Sequence, residues 1–440
     1  CIRDRTHIEP GGDETIEILT YDRVGRRTSD LVHNYIWSWR GELREVREDD
    51  GSKVVYTYDA AGRLLSRTHR DEDDSFLSKR SYLWNGAELL AQVGLNFEDQ
   101  PIWRVEHLPG PVGLDDSPQL RVTTGLQETP QTRIFDLVRD EMGTVVAVFE
   151  DIEAPTEDQE VPPLKARILY DPYGQAHLEV GPELRRIEHD SEATNLDGFV
   201  QTSLDEGSPE NPIVGIAGSV VVTTSVALAP DTLSVGLRFE RWAGDAGMWV
   251  ALGPTEAAIA RQETDVTRLQ IMPVGGWLEG VRYRVTLDAE LTDAYGRAFV
   301  VPDGGGEFAI AINVPSEVGG TEDSLPGLPR EIPLSFDTVA AASATLDCDG
   351  EPCLPGGLNL LFQGLWTDPD TGIAYARNRW YDPRTVSWLS EDPMEDIDSP
   401  NLYACVGWGP QSGRDPMGLA GYFFDGTWND RSNMVNPTNV

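Results

Sequence analysis

The hexapeptide Tyr21-Asp22-Arg23-Val24-Gly25-Arg26 returns as Tyr58-Asp59-Ala60-Ala61-Gly62-Arg63, and an internal repeat of this kind constrains the fold more than any other property of a chain. Degenerate copies follow the same plan. Trp39-Arg40-Gly41-Glu42-Leu43 lies between the two, Trp84-Asn85-Gly86-Ala87-Glu88-Leu89 comes after them, and Tyr170-Asp171-Pro172-Tyr173-Gly174-Gln175 comes later still. Each unit supplies an aromatic residue, a polar turn containing Gly, and an alternating strand. Asp or Asn ahead of Gly favours a tight hairpin turn, since Gly accepts positive φ without strain. The flanks alternate with period two, Val55-Tyr56-Thr57-Tyr58 leading in and Leu64-Leu65-Ser66-Arg67 leading out. Single hairpins are marginal, so a row of them must stack edge to edge. The expected fold class is all-β: a long, curled hairpin sheet forming a shell, with little helix.

The repeat stops between Glu183 and Pro355. Within that interval residues 210 to 316 read as a separate all-β domain. Its strand candidates are Ser219 to Leu228, Ser234 to Arg241, Arg268 to Met272, Tyr283 to Ala289 and Glu307 to Val314. They are short and divided by Gly, Pro or Asp turns, as in a sandwich. Asp205 to Pro212 and Pro315 to Pro333 flank it with linker composition.

Composition excludes several classes. The chain has 35 basic and 74 acidic residues, a formal net charge of −39. That balance argues against a nucleic-acid partner, which needs a basic footprint, and against electrostatic adhesion to anionic lipid. Hydrophobic residues make up 40%, enough for a sizeable core. The most apolar stretch, Val214 to Pro230, is interrupted by Thr223, Thr224 and Ser225 and reads as strand rather than membrane span. The four cysteines, Cys1, Cys348, Cys353 and Cys405, form neither a disulfide framework nor a zinc pattern, although Cys348 and Cys353 are close enough to pair in an oxidising compartment. The six histidines, His7, His33, His69, His107, His177 and His189, have no metal-ligand spacing. No metal and no cofactor is expected. Trp37, Trp39, Trp84, Trp103, Trp366, Trp380 and Trp388 are expected to pack inside the shell, with a carbohydrate-binding platform as the alternative. The chain does not begin with Met and its last residues enter what reads as a new domain, so it is expected to be a piece of a longer polypeptide.

The Tyr-Asp-x-x-Gly-Arg units resemble the YD-repeat, or RHS-repeat, proteins. Asp140-Glu141-Met142-Gly143-Thr144-Val145-Val146-Ala147-Val148 resembles that family's strand upstream of its core. After the interruption the pattern resumes: Phe362-Gln363-Gly364, then Asp370-Thr371-Gly372 running on to Arg377-Asn378-Arg379-Trp380-Tyr381-Asp382-Pro383. Trp388-Leu389-Ser390-Glu391-Asp392-Pro393, Asn401-Leu402-Tyr403-Ala404-Cys405-Val406-Gly407 and Arg414-Asp415-Pro416-Met417-Gly418-Leu419 complete it. This segment resembles the RHS-associated core. The resemblance implies repeats over residues 1–182, an insertion over 183–355, the core over 356–419, and the start of a further domain over 420–440. Within the insertion, Leu278 to Gly296 resembles a bacterial Ig-like domain.

The resemblance also implies chemistry. The family's core ends in an aspartyl-type self-cleavage site, whose matching residues are Asp392 and Asp415, with Arg414 placed to hold Asp415 ionised. The cut is expected between Leu419 and Ala420. Two carboxylates suit peptide hydrolysis: one, ionised, activates water, while the other, protonated, donates to the carbonyl oxygen. The competing reading is that each Asp-Pro only punctuates a turn. Glu395 stands where the family has Gly, which would strain the first loop if that position takes positive φ. Asp396 and Asp398 are alternative first carboxylates.

Tyr422-Phe423-Phe424-Asp425-Gly426-Thr427-Trp428-Asn429 and the later Asn436-Pro437-Thr438-Asn439-Val440 resemble the opening of an α/β-hydrolase found among type VI secretion phospholipase effectors, with Asp425, Gly426, Thr427 and Asn429 as its start motif. Its nucleophile elbow does not occur in this chain. The expected function is a delivery scaffold that encapsulates its own C-terminal toxin and frees it by self-cleavage. The implied partners are that toxin domain, secretion machinery, immunity proteins and a cell-surface ligand for the Ig-like domain. The implied destination is outside the producing bacterium or inside a target cell. The alternative is a secreted or surface adhesion protein without proteolytic activity.

Overall fold

The computed structural model describes residues 4–8, 14–110, 117–151, 164–190, 199–203, 215–314 and 330–419, with breaks inside the last two ranges, and residues 422–423. The described chain is all-β, as expected: antiparallel strands throughout, and one four-residue α-helix, Leu233–Gly236. It divides into two units, residues 1–178 with 336–440, and residues 179–335.

The first unit is organised by a 14-stranded sheet running in sequence order from Thr20–Tyr21 to Ala176–Glu179. Its turns explain the repeat. In the units at Asp22, Asp59, Asp140 and Asp171, one carboxylate oxygen accepts the backbone N–H groups two and four residues on, at 2.8–3.0 Å. Arg26 and Arg63 then donate Nε to the other oxygen of their own aspartate at 2.7 Å. Gly62 takes φ +81°, where a side chain would be strained. Where the letters degenerate, the acceptor survives: Ser38, Asp71 and Asn96 accept the same two N–H groups. Side chains alternate as the period requires. Lys53–Tyr58 buries Val54 and Tyr56 and leaves Thr57 exposed.

The buried face of this sheet packs on the segment that follows residue 353. Val46, Val54, Leu64, Leu120, Phe135 and Val148 share one core with Leu358, Leu361, Trp366, Tyr375, Trp380 and Leu389. A short sheet within the segment, Trp366–Thr367, Ala374–Ala376, Arg379–Asp382 and Ser387–Trp388, is buried at every position. Adjacent residues of Arg379–Asp382 reach opposite ends of the large sheet. Tyr381 Oη donates to the Tyr173 carbonyl at 2.8 Å, while Arg27 donates to Asp382 at 2.9 Å. The sheet therefore curls around this segment. Buried polar links fix the register: Arg67 pairs with Asp368 at 3.0 Å and with Asp370, and Arg80 donates to Asn359 at 2.9 Å. His107 is also buried, and burial, reinforced by Arg139, pushes its pKa down to about 3. The tryptophans expected inside are buried or packed against the core, with one correction. Trp39 is 88% exposed, because it sits at the tip of the Ser38–Glu42 turn, and Arg40 stacks over its ring.

The second unit is a sandwich. One sheet orders Phe199–Ser203, Ala257–Gln262, Arg268–Pro273, Ser219–Thr224, Leu184–Asp190 and Arg330–Glu331; the other orders Met248–Ala251, Leu237–Ala243, Arg282–Asp288 and Glu307–Asn313. Ile187, Val220 and Ile271 from the first meet Phe239, Val285 and Ile312 from the second in a common core. Its first strand, Leu184–Asp190, lies ahead of residue 210. The strand expected from Ser234 starts instead at Leu237, after the helical turn. The Asp-x-x-Gly-Arg turn recurs here as well. Asp293 accepts from Tyr295 and Arg297 backbone N–H groups and from Arg297 Nε, with Gly296 at φ +76°.

His177 and Phe336, the flanks of the break in the first unit, have ring centroids 6.4 Å apart. Excising residues 179–335 and joining the ends with a few Gly/Ser residues is therefore expected to leave a folded first unit with a single cooperative thermal transition. Loss of that transition would show that the two units do not fold separately.

Candidate functional site

The candidate site is built around Arg379, which opens the strand Arg379–Asp382. Its Nη2 lies 2.7 Å from Asp392 Oδ2 and 3.2 Å from Asp415 Oδ2. One nitrogen thus brings together two aspartates 23 positions apart in sequence. Arg379 and Asp415 are each 2% exposed, Asp392 is half-buried at the edge of the site, and the guanidinium stacks over the Trp388 ring at 4.3 Å. Arg379 also binds the candidate scissile segment directly, its Nε donating to the Gly418 carbonyl at 2.6 Å. Asp415 Oδ1 accepts the Leu419 N–H at 3.1 Å.

The loop after Asp415 is held carbonyl by carbonyl. Arg377 Nη1 donates to Pro416 O at 3.0 Å, Asn378 Nδ2 to Met417 O at 2.8 Å, and Arg379 to Gly418 O. Gly418 has φ +63°, and a Cβ there would lie 2.9 Å from the Ala376 carbonyl, so the turn needs glycine twice over. Gln363 braces the approach: its Nε2 donates to Pro410 O and Gly413 O at 2.9 Å each. The nearby Cys405 thiol is buried. Burial, aided by the negative Asp415, raises its pKa far above the usual thiol range, so it stays protonated and is no competing nucleophile.

Sequence reasoning named the two aspartates and Leu419, and the structure brings them together. It missed Arg379, although the residue stood inside a quoted motif. An arginine in a strand that is buried at every position was the available signal, because a buried charge requires a partner. The Arg414 guanidinium packs at Gly143, where a Cβ would come within 3.2 Å of Cζ, and Arg379 touches Asp415. Asp396 is exposed on the loop beyond Asp392. Asp398, Ala420, Asp425, Gly426, Thr427, Asn429 and Cys353 lie outside the described residues. Among the described residues no group of three His, Cys, Asp or Glu side chains is placed to hold a metal ion.

Glu395 has φ +63°, the left-handed conformation that the Asp392 loop requires. Asp392 Oδ1 accepts Met394 N–H at 2.8 Å, and the Asp392 carbonyl accepts Glu395 N–H at 3.1 Å, closing that loop. Glu395→Gly is expected to stabilise the protein by about 1 kcal/mol through relief of this strain, read as a small rise in the denaturation midpoint. A fall would show that the glutamate side chain contributes more than its backbone costs.

The RHS Repeat family model matches residues 40–73, a span that contains the Asp59 turn. A 65-residue segment, 15% of this chain, is 37% identical to the toxin protein Tse5 of Pseudomonas aeruginosa. The chain spans 5% of that protein's length. Among solved structures, a TcdB2-TccC3 crystal structure is similar over 94% of this chain and 22% of its own, at 14% identity and a TM-score of 0.26. A Photorhabdus luminescens Tc holotoxin pore is similar over 98% of this chain and 22% of its own, at 14% identity and a TM-score of 0.25. The chain is thus an all-β protein carrying an RHS repeat, and it shares a segment with a bacterial toxin protein. Among the described residues no helix is long and apolar enough to cross a membrane.

Proposed function

We propose that this chain is the scaffold portion of a toxin polypeptide and that it cuts its own backbone between Leu419 and Ala420. The observation that carries this reading is the convergence of Asp392 and Asp415 on one buried nitrogen of Arg379, with the Leu419 amide on Asp415. Arg379, Asp392 and Asp415 together carry one negative charge in excess. Two carboxylates facing one cation suit the sharing of a single proton, the arrangement that acid and base roles in one pair require. One aspartate then remains a base for water and the other becomes an acid. Water adds to the Leu419 carbonyl carbon and gives its proton to the ionised carboxylate. The protonated partner donates to the carbonyl oxygen, and a proton returned to the Ala420 nitrogen lets the C–N bond break. The reaction runs once and within one molecule, so positioning supplies much of the acceleration.

On this reading the curled sheet encloses the segment that follows residue 419 until it is freed, and residues 420–440 open a hydrolase-like toxin domain. The sandwich unit is an Ig-like module for a surface ligand. Delivery through a secretion apparatus, with an immunity protein protecting the producer, follows from the same reading. The intact mass of the freshly synthesised chain tests the central step. Separation of the 420–440 peptide is the expected result; a mass that stays at full length through prolonged incubation rejects self-cleavage.

A further inference from the structure

The backbone on the far side of the candidate bond is also tied down. Tyr422–Phe423 forms a strand that pairs antiparallel with Gly413–Arg414, in the register Gly413↔Phe423 and Arg414↔Tyr422. The Leu419–Ala420 bond therefore lies, in sequence, between two strands that pair with each other. The near side is fixed by the three carbonyl contacts from Arg377, Asn378 and Arg379. The base of the strand is braced by Gln363, whose side chain binds the Gly413 carbonyl and approaches Asp415 N at 3.4 Å. A bond tethered on one side only would swing. One tethered on both sides holds its carbonyl at a fixed place relative to Asp392 and Asp415, and small misplacements of a reacting group are costly.

We infer that Tyr422–Phe423 is a positioning strand for the scissile segment, and that cutting the bond releases it. The inference rests on the self-cleavage proposed above. A ladder of two residue pairs is marginal even within one chain. It forms here because the intervening chain keeps its strands at high effective concentration. Hydrolysis of the Leu419–Ala420 bond removes that link, and two pairs cannot hold a separate chain. The new amino terminus then leaves the carboxylates, which prevents the amine from re-attacking the Leu419 carboxyl group. Clamping and release thus come from one feature, and no other part of the protein has to move.

The test follows cleavage of the full chain in a cell-free synthesis time course by intact mass. The double substitution Tyr422→Pro/Phe423→Pro removes both N–H groups of the strand and is expected to slow the cut by at least about tenfold. Tyr422→Val/Phe423→Val keeps a strand-forming backbone and is expected to restore the wild-type rate. Equal rates for the Pro and wild-type chains would overturn the positioning role while leaving self-cleavage standing. No cut in the wild type would remove both proposals. Hydrogen exchange gives a second reading. Amides at Gly413 and Arg414 should be protected in uncut Asp415→Asn and exposed in the cut wild type. Protection that persists after the cut would refute self-release.

Discussion

Asp415→Asn is expected to leave the chain at full length, and Asp392→Asn is expected to do the same. Either change keeps side-chain size and removes one carboxylate from the pair proposed to act as acid and base together. Groups that act as a unit lose nearly all their effect when one is removed, so a fall of roughly three to four orders of magnitude is expected from each. Adding the second substitution to the first should cost little more. Arg379→Gln removes the cation that gathers the pair and loosens the hold on the Gly418 carbonyl. Arg379→Lys keeps the charge but cannot reach both carboxylates and Gly418 at once, since a single ammonium replaces a planar fork. It is expected to cut slowly and with an altered pH profile, which a purely structural loss would not produce. Mass spectrometry over time measures the rates, and thermal denaturation of the uncut variants shows whether they stay folded. A persistent cut in both Asn variants would overturn the carboxylate mechanism.

The largest expected effect on stability lies at the other end of the same strand. Arg27 is fully buried and donates to Asp382 at 2.9 Å, Thr385 at 2.8 Å and Ser387 at 2.6 Å. Removing one partner takes a close counter-ion from the other buried charge. Arg27 keeps Asp30 at 3.5 Å and Asp382 keeps Arg384 at 3.6 Å, so the cost falls at the lower end of the range for a broken buried pair, about 3 kcal/mol. Asp382→Ala and Arg27→Ala should each lower the denaturation midpoint by an amount of that order, and the double substitution should cost less than the two singles combined. The pH dependence has a definite sign. Burial alone would raise the Asp382 pKa, but Arg384 and Arg27 beside it outweigh burial and bring it below the ordinary carboxylate value. A carboxylate depressed in the folded state contributes stability above its unfolded pKa of about 4, and that contribution fades as pH falls through the folded value. Wild-type stability should therefore drop on acidification more steeply than that of Asp382→Ala. Parallel curves would show that the ion pair adds nothing to acid stability.

The hairpin sheet was legible because its signal is local. Asp22 and Gly25, or Asp59 and Gly62, lie close enough in sequence for turn chemistry to show directly. Five of the ten described strands in the two sandwich sheets were legible for the same reason. Leu184–Asp190 escaped because it pairs with Ser219–Thr224 across a long excursion, and Ala257–Gln262 because its alanines carry no alternating pattern. The site was half legible. Asp392 and Asp415 announced themselves through their prolines. Arg379 did not, because what singles it out is a fold that carries two distant loops to one guanidinium. Trp39 shows the opposite error: an aromatic residue in a packing-rich repeat was read as interior, and turn geometry placed it outside.

The contacts between the curled sheet and the segment inside it span most of the polypeptide. Arg27 and Asp382 are 355 residues apart, and Tyr403 donates to the Gly25 carbonyl across 378. A ribosome must therefore have added more than 350 residues after the first hairpin before that hairpin acquires its partner, and contacts this distant in sequence form slowly. The strand that completes them, Arg379–Asp382, begins with the residue that gathers Asp392 and Asp415. The proposed site is therefore assembled only after the hairpin sheet has been synthesised. If the chain cuts itself as proposed, the order of synthesis acts as a timer that places the cut after these long-range contacts.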